Sequence, residues 1–245
     1  MIKFYSDDFG YDKKVDSGII RLIKNDKLFG LSVLSTMVSS LSLHRLSNWI
    51  KPKYKFVLGL HINLIEGKPA QHRKKIKSLV GKNNQFFPLV IFLLRLLLGR
   101  VKKIHIQREI EAQLKKLQKA GFKVKMLDSH QHTLAFSPVA EITAEIAREK
   151  KIPLIRSFGS IKAYSLKAKF TFTLLKILAF LSYFISYKKI GLPASWEIKQ
   201  ELDWTVMSWE DNTFNVGSIK DKKAAIIIHP FLPFDSNRSY WRYIE

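Results

Sequence analysis

A chain of 245 residues is long enough for one full α/β core, and its lack of cysteine excludes disulfides and thiolate metal ligands. Any metal must therefore be held by carboxylates, imidazoles or water. The 42 Lys and Arg outnumber the 20 Asp and Glu to leave a formal charge of +22, which draws polyanions and acidic surfaces and repels cationic ones.

Residues 1 to 6 alternate towards a short strand that runs into Asp7-Asp8-Phe9-Gly10. No apolar segment with a cleavage site precedes the acidic pair, so a secretory signal is not read and a cytoplasmic location is expected. Val15, Ile19, Leu22 and Ile23 recur at helical spacing over residues 12 to 25, and a further apolar run extends from Leu31 to Val38. Lys55 to Leu60 predicts a strand that ends at His61. Ile106, Ile110, Leu114 and Leu117 mark one face of a helix that Gly121 would end. Phe122 to Leu127 predicts a strand ending at Asp128, and residues 138 to 150 return to helical spacing through Ile142 and Ile146. Ile152-Pro153-Leu154-Ile155 reads as a strand ending at Arg156, and Ala224 to Ile228 as one ending at His229. Strands that alternate with helices predict a parallel sheet, and polar clusters after several strands predict one functional face of a barrel. A single domain over residues 1–245 is expected.

Two apolar stretches stand apart, residues 86–98 around Arg95 and residues 170–187 around Lys176. As a helix the second would reach about 27 Å, close to bilayer thickness. A lysine near its centre costs ~2.5 to 3.5 kcal/mol in a membrane, which argues against a span. Both stretches are expected to be core helices or segments that meet an anionic membrane interface. Basic clusters at Lys51, Lys53 and Lys55, at Arg73, Lys74, Lys75 and Lys77, and at Arg100, Lys102 and Lys103 fit no nucleic-acid motif. Nucleic acid is therefore the least expected partner.

The adjacent carboxylates of Asp7 and Asp8 cannot both ionise at close range without a compensating cation, and a metal would resolve that conflict. In an extended segment one of the two would ligate while its neighbour turns towards substrate or water. Asp128, His130 and His132 supply a carboxylate and two imidazoles that share one face if the segment is extended, and such a set leaves open positions on a metal. His61 in Gly59-Leu60-His61-Ile62-Asn63-Leu64 and His229 before Pro230 stand at the same inferred ends of strands.

These four motifs, in this order, resemble the YdjC-like carbohydrate deacetylases, a family also known for chitooligosaccharide deacetylation. The resemblance covers residues 7 to 230, nearly the whole chain. It implies an α/β fold, a distorted or incomplete (β/α) TIM-like barrel related to polysaccharide deacetylases. The segment after His229 departs from that family in its shortness, which would leave the barrel open or completed by another chain, as in a homodimer. The resemblance implies one divalent metal ion, magnesium before zinc, held by Asp8, His61 and His130, with Asp7 as general base and His229 assisting the leaving amine. It also implies that His132 supports the ligands or touches substrate and that Arg156 holds the base or a substrate oxygen. The implied reaction removes an acetyl group from an N-acetylated sugar. A lipid-linked sugar at the membrane surface and a non-catalytic basic binding protein are the alternatives.

Overall fold

The computed structural model describes residues 3–50, 56–156, 173, 177, 203–206 and 224–228. Seven strands, β1 (Lys3–Phe9), β2 (Leu28–Val33), β3 (Val57–Ile62), β4 (Met126–Ser129), β5 (Leu154–Ile155), β6 (Asp203–Val206) and β7 (Ala224–Ile228), form one sheet in the order β5-β4-β3-β2-β1-β7-β6. Every pair is parallel. Read from β6, the strands follow in cyclic succession with the last beside the first. A barrel gives that order when it is cut between β5 and β6, whereas a doubly wound sheet reverses its order at a switch point. Among the described residues β5 and β6 are the two edges.

Helices α1 (Lys13–Lys24), α2 (Ser40–Ile50), α3 (Leu89–Leu97), α4 (Lys103–Lys119) and α5 (Ser137–Glu149) fill the crossovers between the first five strands. Local chemistry sets their ends. Asp12 caps α1 by accepting from the Lys14 and Val15 amides at 2.7 and 2.8 Å. Ser137-Pro138 opens α5, where proline loses no helical hydrogen bond. Gly121, at φ 84°, follows α4 in the left-handed conformation that releases the chain towards β4.

The strands sort their side chains by alternation. Leu31 and Val33 of β2, Leu58, Leu60 and Ile62 of β3 and Leu127 of β4 join the apolar core with Val15, Ile19, Ile110, Leu114, Val139 and Ile142 of the helices. The intervening positions carry Tyr5 and Asp7, Gly30 and Ser32, Gly59 and His61, and Asp128. Register places Ser32 beside Gly59 and His61 beside Asp128, so the polar groups meet across neighbouring strands. Both faces of the sheet are thus committed, one to packing and one to the site.

Residues 86–98 contain α3, but only Phe92 and Leu96 of that helix are fully buried, so it is not the core helix that its composition suggests. No helix among the described residues is long and apolar enough to cross a membrane. Of residues 170–187 only Thr173 and Ile177 are described, both helical, and the rest of that stretch lies outside the described residues. Strand β6 and helix α2 have no counterpart among the elements expected from the sequence.

Gly30 and Gly59 exist because Tyr5 lies across them. A Cβ at Gly30 would sit 2.4 Å from the Val57 carbonyl oxygen and 2.8 Å from the Tyr5 ring, and one at Gly59 would sit 2.5 Å from the Tyr5 hydroxyl. Replacing a strand glycine by alanine ordinarily gains ~0.5 to 1 kcal/mol of stability. Here the backbone carbonyl cannot yield, so Gly30→Ala should instead destabilise by ~1 to 3 kcal/mol. Urea unfolding of the two proteins measures the sign directly.

Candidate metal centre

The acidic pair sits at the end of β1, where the chain leaves the strand. Asp8 has a φ of 63°, and the register of β1 against β2 slips between Ser6 and Phe9. A left-handed Asp interrupts the extended alternation, and the two carboxylates are turned towards different partners. Past the pair, the Tyr11 amide donates to the Asp8 carbonyl at 3.0 Å, and the Gly10 amide donates to Asp16 Oδ1 of α1 at 2.6 Å. The turn is thereby tied to the first helix.

Asp8, His61 and His130, all buried, bring ligating atoms within 4.8 Å of one another. One oxygen, Asp8 Oδ1, is met by His130 Nδ1 at 3.0 Å and by His61 Nε2 at 3.3 Å. Each imidazole is held from behind by a second carboxylate. His61 Nδ1 lies 2.7 Å from Asp128 Oδ1, and His130 Nε2 lies 3.0 Å from Glu66 Oε2. This arrangement assigns the outer proton of each ring and leaves the inner nitrogen to face Asp8, which is how carboxylate-backed histidines present themselves to a metal. Glu66 also accepts from the Tyr11 hydroxyl at 3.2 Å.

A second group of ligating atoms, from Asp7, His61 and Asp128, is also close enough to hold an ion. It already contains a cation. Buried Arg156 donates to both Asp7 oxygens, Nη1 to Oδ1 at 2.8 Å and Nη2 to Oδ2 at 2.6 Å, and its Nη2 stands 3.3 Å from Asp128 Oδ2. Ser32 Oγ completes the group, 3.1 Å from Asp7 Oδ1 and 3.2 Å from His61 Nδ1. A dication placed there would face the guanidinium, so the fitting site is the one made by Asp8, His61 and His130.

The remaining expectations divide. Asp7 is turned towards Arg156 and Ser32, not towards open solvent, and is buried. Asp128 does not share a cluster with His130 and His132 as a consecutive motif would. Gln131 and His132 have φ of 46° and 59° in a tight turn, so the segment is not extended and the alternation that would put both imidazoles on one face does not apply. Asp128 serves His61 from the neighbouring strand instead. His132 is half-buried two residues beyond His130. His229 lies outside the described residues; Ile228, immediately before it, is in register with Ser6.

Glu66 and Ser32 were not legible as site residues. Glu66 is positioned by a turn that Asn63 builds: Asn63 Oδ1 accepts from the Ile65 and Glu66 amides at 3.2 and 3.1 Å, while its Nδ2 donates to the Glu66 carbonyl at 2.7 Å. Helix α4 anchors this loop. Gln113 donates to the Asn63 carbonyl at 2.6 Å, and Glu109 accepts from the Ala70 and Gln71 amides at 2.8 and 3.0 Å. The only sequence signal was Asn63 followed three residues later by an acid and then Gly67, which marks a turn and not its target.

Electrostatics follow from this geometry. Burial opposes charge on His61, but the Asp128 and Asp7 carboxylates and the bonds to Asp128 and Asp8 outweigh it and bring its pKa to about 10. Burial likewise opposes charge on His130, and the bonds to Asp8 and Glu66 raise it nonetheless. The bond from His130 holds Glu66 below its ordinary value. Burial lowers Arg156, yet Asp128 and Asp7 raise it further, so it stays charged throughout. Because the folded pKa of His61 is above its unfolded value, the stability it adds is complete below pH ~6.5 and is lost as pH rises through about 10. Chelator-treated protein should therefore show a thermal midpoint that falls across this window, and His61→Gln should flatten the fall.

The chain matches the family model described as YdjC-like protein over residues 2–239. It is 30% identical to a carbohydrate deacetylase of Thermoanaerobacter pseudethanolicus over 166 residues, which cover 66% of this chain and 62% of that protein. It is 28% identical to a carbohydrate deacetylase of Danio rerio over 151 residues, 61% of this chain and 47% of the relative. The chain thus aligns with about half to three fifths of the length of these relatives. Among solved structures it is similar to an Enterococcus faecalis V583 protein described in terms of cellobiose-phosphate cleavage, with a TM-score of 0.60 and 20% identity over 93% of this chain and 79% of that one. That likeness speaks for the fold alone. With a family match over almost every residue, and the three described motifs disposed along one parallel sheet, this chain belongs to the YdjC-like family.

Proposed function

We propose that the chain is a metal-dependent deacetylase of an N-acetylated sugar. The observation that carries this reading is the convergence of Asp8, His61 and His130 on one point, with Asp128 and Glu66 behind the two imidazoles. The curated relatives, named carbohydrate deacetylases, support the substrate class. Two imidazole nitrogens and one carboxylate oxygen suit a dication of the zinc class better than magnesium, which prefers an all-oxygen shell. Such an ion, when bound, supplies Lewis acidity: it polarises an acyl carbonyl and lowers the pKa of water to ~7 in favourable zinc sites.

The protein's own groups have separate tasks in this proposal. Asp7 takes a proton from the attacking water, and Arg156 keeps that carboxylate ionised and fixed in direction by its two-pronged hydrogen bond. Ser32 occupies a further lone pair of Asp7 Oδ1 and limits rotation of the carboxylate. His229, by sequence the residue after β7, returns a proton to the departing amine. His132 contacts the sugar. Proton transfer of this kind contributes ~10² to 10⁴ in rate.

Three substitutions separate the tasks. Asp8→Asn should strip the metal and abolish acetate release together. Asp7→Asn should keep metal occupancy near that of the parent and lower turnover by ~10² or more. Metal analysis beside acetate release from N-acetylglucosamine oligosaccharides decides between them, and loss of metal in Asp7→Asn with retention in Asp8→Asn would exchange the two roles. Glu66→Gln touches no ligand position but removes the charge behind His130, so metal affinity, read by competition with a chromogenic chelator, should fall by ~10 to 100-fold. An unchanged affinity would remove Glu66 from the site.

A further inference from the structure

Helix α3 is apolar on every side. Phe92 and Leu96, one turn apart, face the core, while Val90 (67% exposed), Ile91 (43%), Leu94 (51%) and Leu98 just beyond the helix (64%) lie on the opposite side. At 100° per residue these four positions fall within about a 100° sector, a continuous aliphatic strip. Its one charge is withdrawn: the Arg95 guanidinium is folded over the Phe87 ring, 4.3 Å from the centroid. A helix apolar all round is ordinarily enclosed by protein or by lipid.

We propose that this strip docks onto the surface of an anionic lipid bilayer, with α3 lying in the plane of the interface. The nine residues of the helix extend ~13 Å, far short of the ~30 Å needed to span, but suited to lying at the boundary of headgroups and acyl chains. The rim of the strip is basic. Arg100 and Lys102 follow it, both exposed, and no acidic group among the described residues is paired with either, whereas Lys103 is taken up by Glu141 at 2.6 Å. Ile104, also exposed, extends the apolar margin past these cations.

Charge selects among occupants. A second copy would bring two chains of +22 together with no counter-charge in the strip, and mutual repulsion opposes that. A nucleic acid would satisfy Arg100 and Lys102 but leave the aliphatic strip in water, because the strip has neither aromatic rings for stacking nor donors for base edges. An anionic bilayer rewards both features at once, and basic residues near it add to the attraction of buried apolar area. The proposal stands apart from the metal chemistry, since docking uses none of the site residues.

The absence of cysteine makes the test direct, because Leu94→Cys introduces the chain's one thiol. With an environment-sensitive fluorophore attached there, the full chain should give a blue-shifted emission and co-sediment with vesicles of phosphatidylcholine and phosphatidylglycerol at low salt. It should do neither with phosphatidylcholine alone. Binding should weaken at least about tenfold in the variant Val90→Ser, Leu94→Ser, Leu98→Ser, and also in Arg100→Glu, Lys102→Glu, with unchanged thermal midpoints because all five side chains are exposed. No sedimentation with anionic vesicles would overturn the proposal, as would equal sedimentation of the serine variant, which would mean that charge alone acts. Slow thiol labelling of free Leu94→Cys, or a parent dimer that the serine variant dissociates, would also overturn it by showing that protein covers the strip.

Discussion

A buried guanidinium makes the polar face of this sheet feasible. Arg156, at the end of β5, reaches Asp7 at the end of β1 and Asp128 on β4. Asp7, Asp8 and Asp128 are all removed from water within a few ångströms of His61. Carboxylates at that density cannot ionise together unless cations are fixed among them. Arg156 compensates Asp7 and Asp128 permanently, because no accessible pH deprotonates it. What remains is Asp8 with its two histidines, whose counter-charge is exchangeable: protons in the metal-free protein, a dication in the proposed metal-bound form. The guanidinium is thereby structural, the proposed dication would be functional, and the division comes from geometry and not from residue type.

Alternation explains how one sheet serves both needs. The run Leu58-Gly59-Leu60-His61-Ile62 sends leucine, leucine and isoleucine to the helices and glycine and histidine to the opposite side. A shift of one residue in register would exchange the layers, exposing the core and burying the site against α4 and α5. The apolar layer therefore fixes the candidate metal ligands indirectly. The glycines under Tyr5 belong to the same arrangement, since they let an aromatic ring close the space beneath Arg156, whose guanidinium carbon lies 5.8 Å from the ring centroid.

Much of this was legible from residues alone, and the exceptions have physical causes. The Val15, Ile19, Leu22 and Ile23 spacing corresponds to α1, and the runs ending at His61, Asp128 and Arg156 overlap β3, β4 and β5, although β4 begins only at Met126 and β5 only at Leu154, because strong periodicity and apolar continuity are local properties. Strand β6, Asp203-Trp204-Thr205-Val206, is too short and mixed to signal itself and takes its conformation from pairing with β7. Helix α2 buries only Leu43 and Leu46, too few to mark a face. The three grouped candidate ligands were open to inference because each sits at or just past the carboxyl end of a strand. Glu66 was not, since its place depends on an Asn63 turn held by α4, a contact 50 residues away in sequence. The expected extended His-x-His segment failed at Gln131 and His132 because a tight turn with left-handed backbone starts directly at the end of β4.

The candidate metal ligands come from positions 8, 61 and 130, and the groups around them from 7, 66, 128 and 156, so few pairs in the site are local. A disordered chain of this sequence has no short segment able to gather the set. Closing loops of this length must precede any gain from the contacts, which places assembly of the centre late in folding and makes it slow relative to helix formation. Metal cannot seed this fold in the way it seeds a zinc finger. A metal bound as proposed would enter a pocket that the completed sheet has already shaped, so nascent chains emerging from synthesis would compete poorly for scarce ions until β1, β3, β4 and β5 are in register.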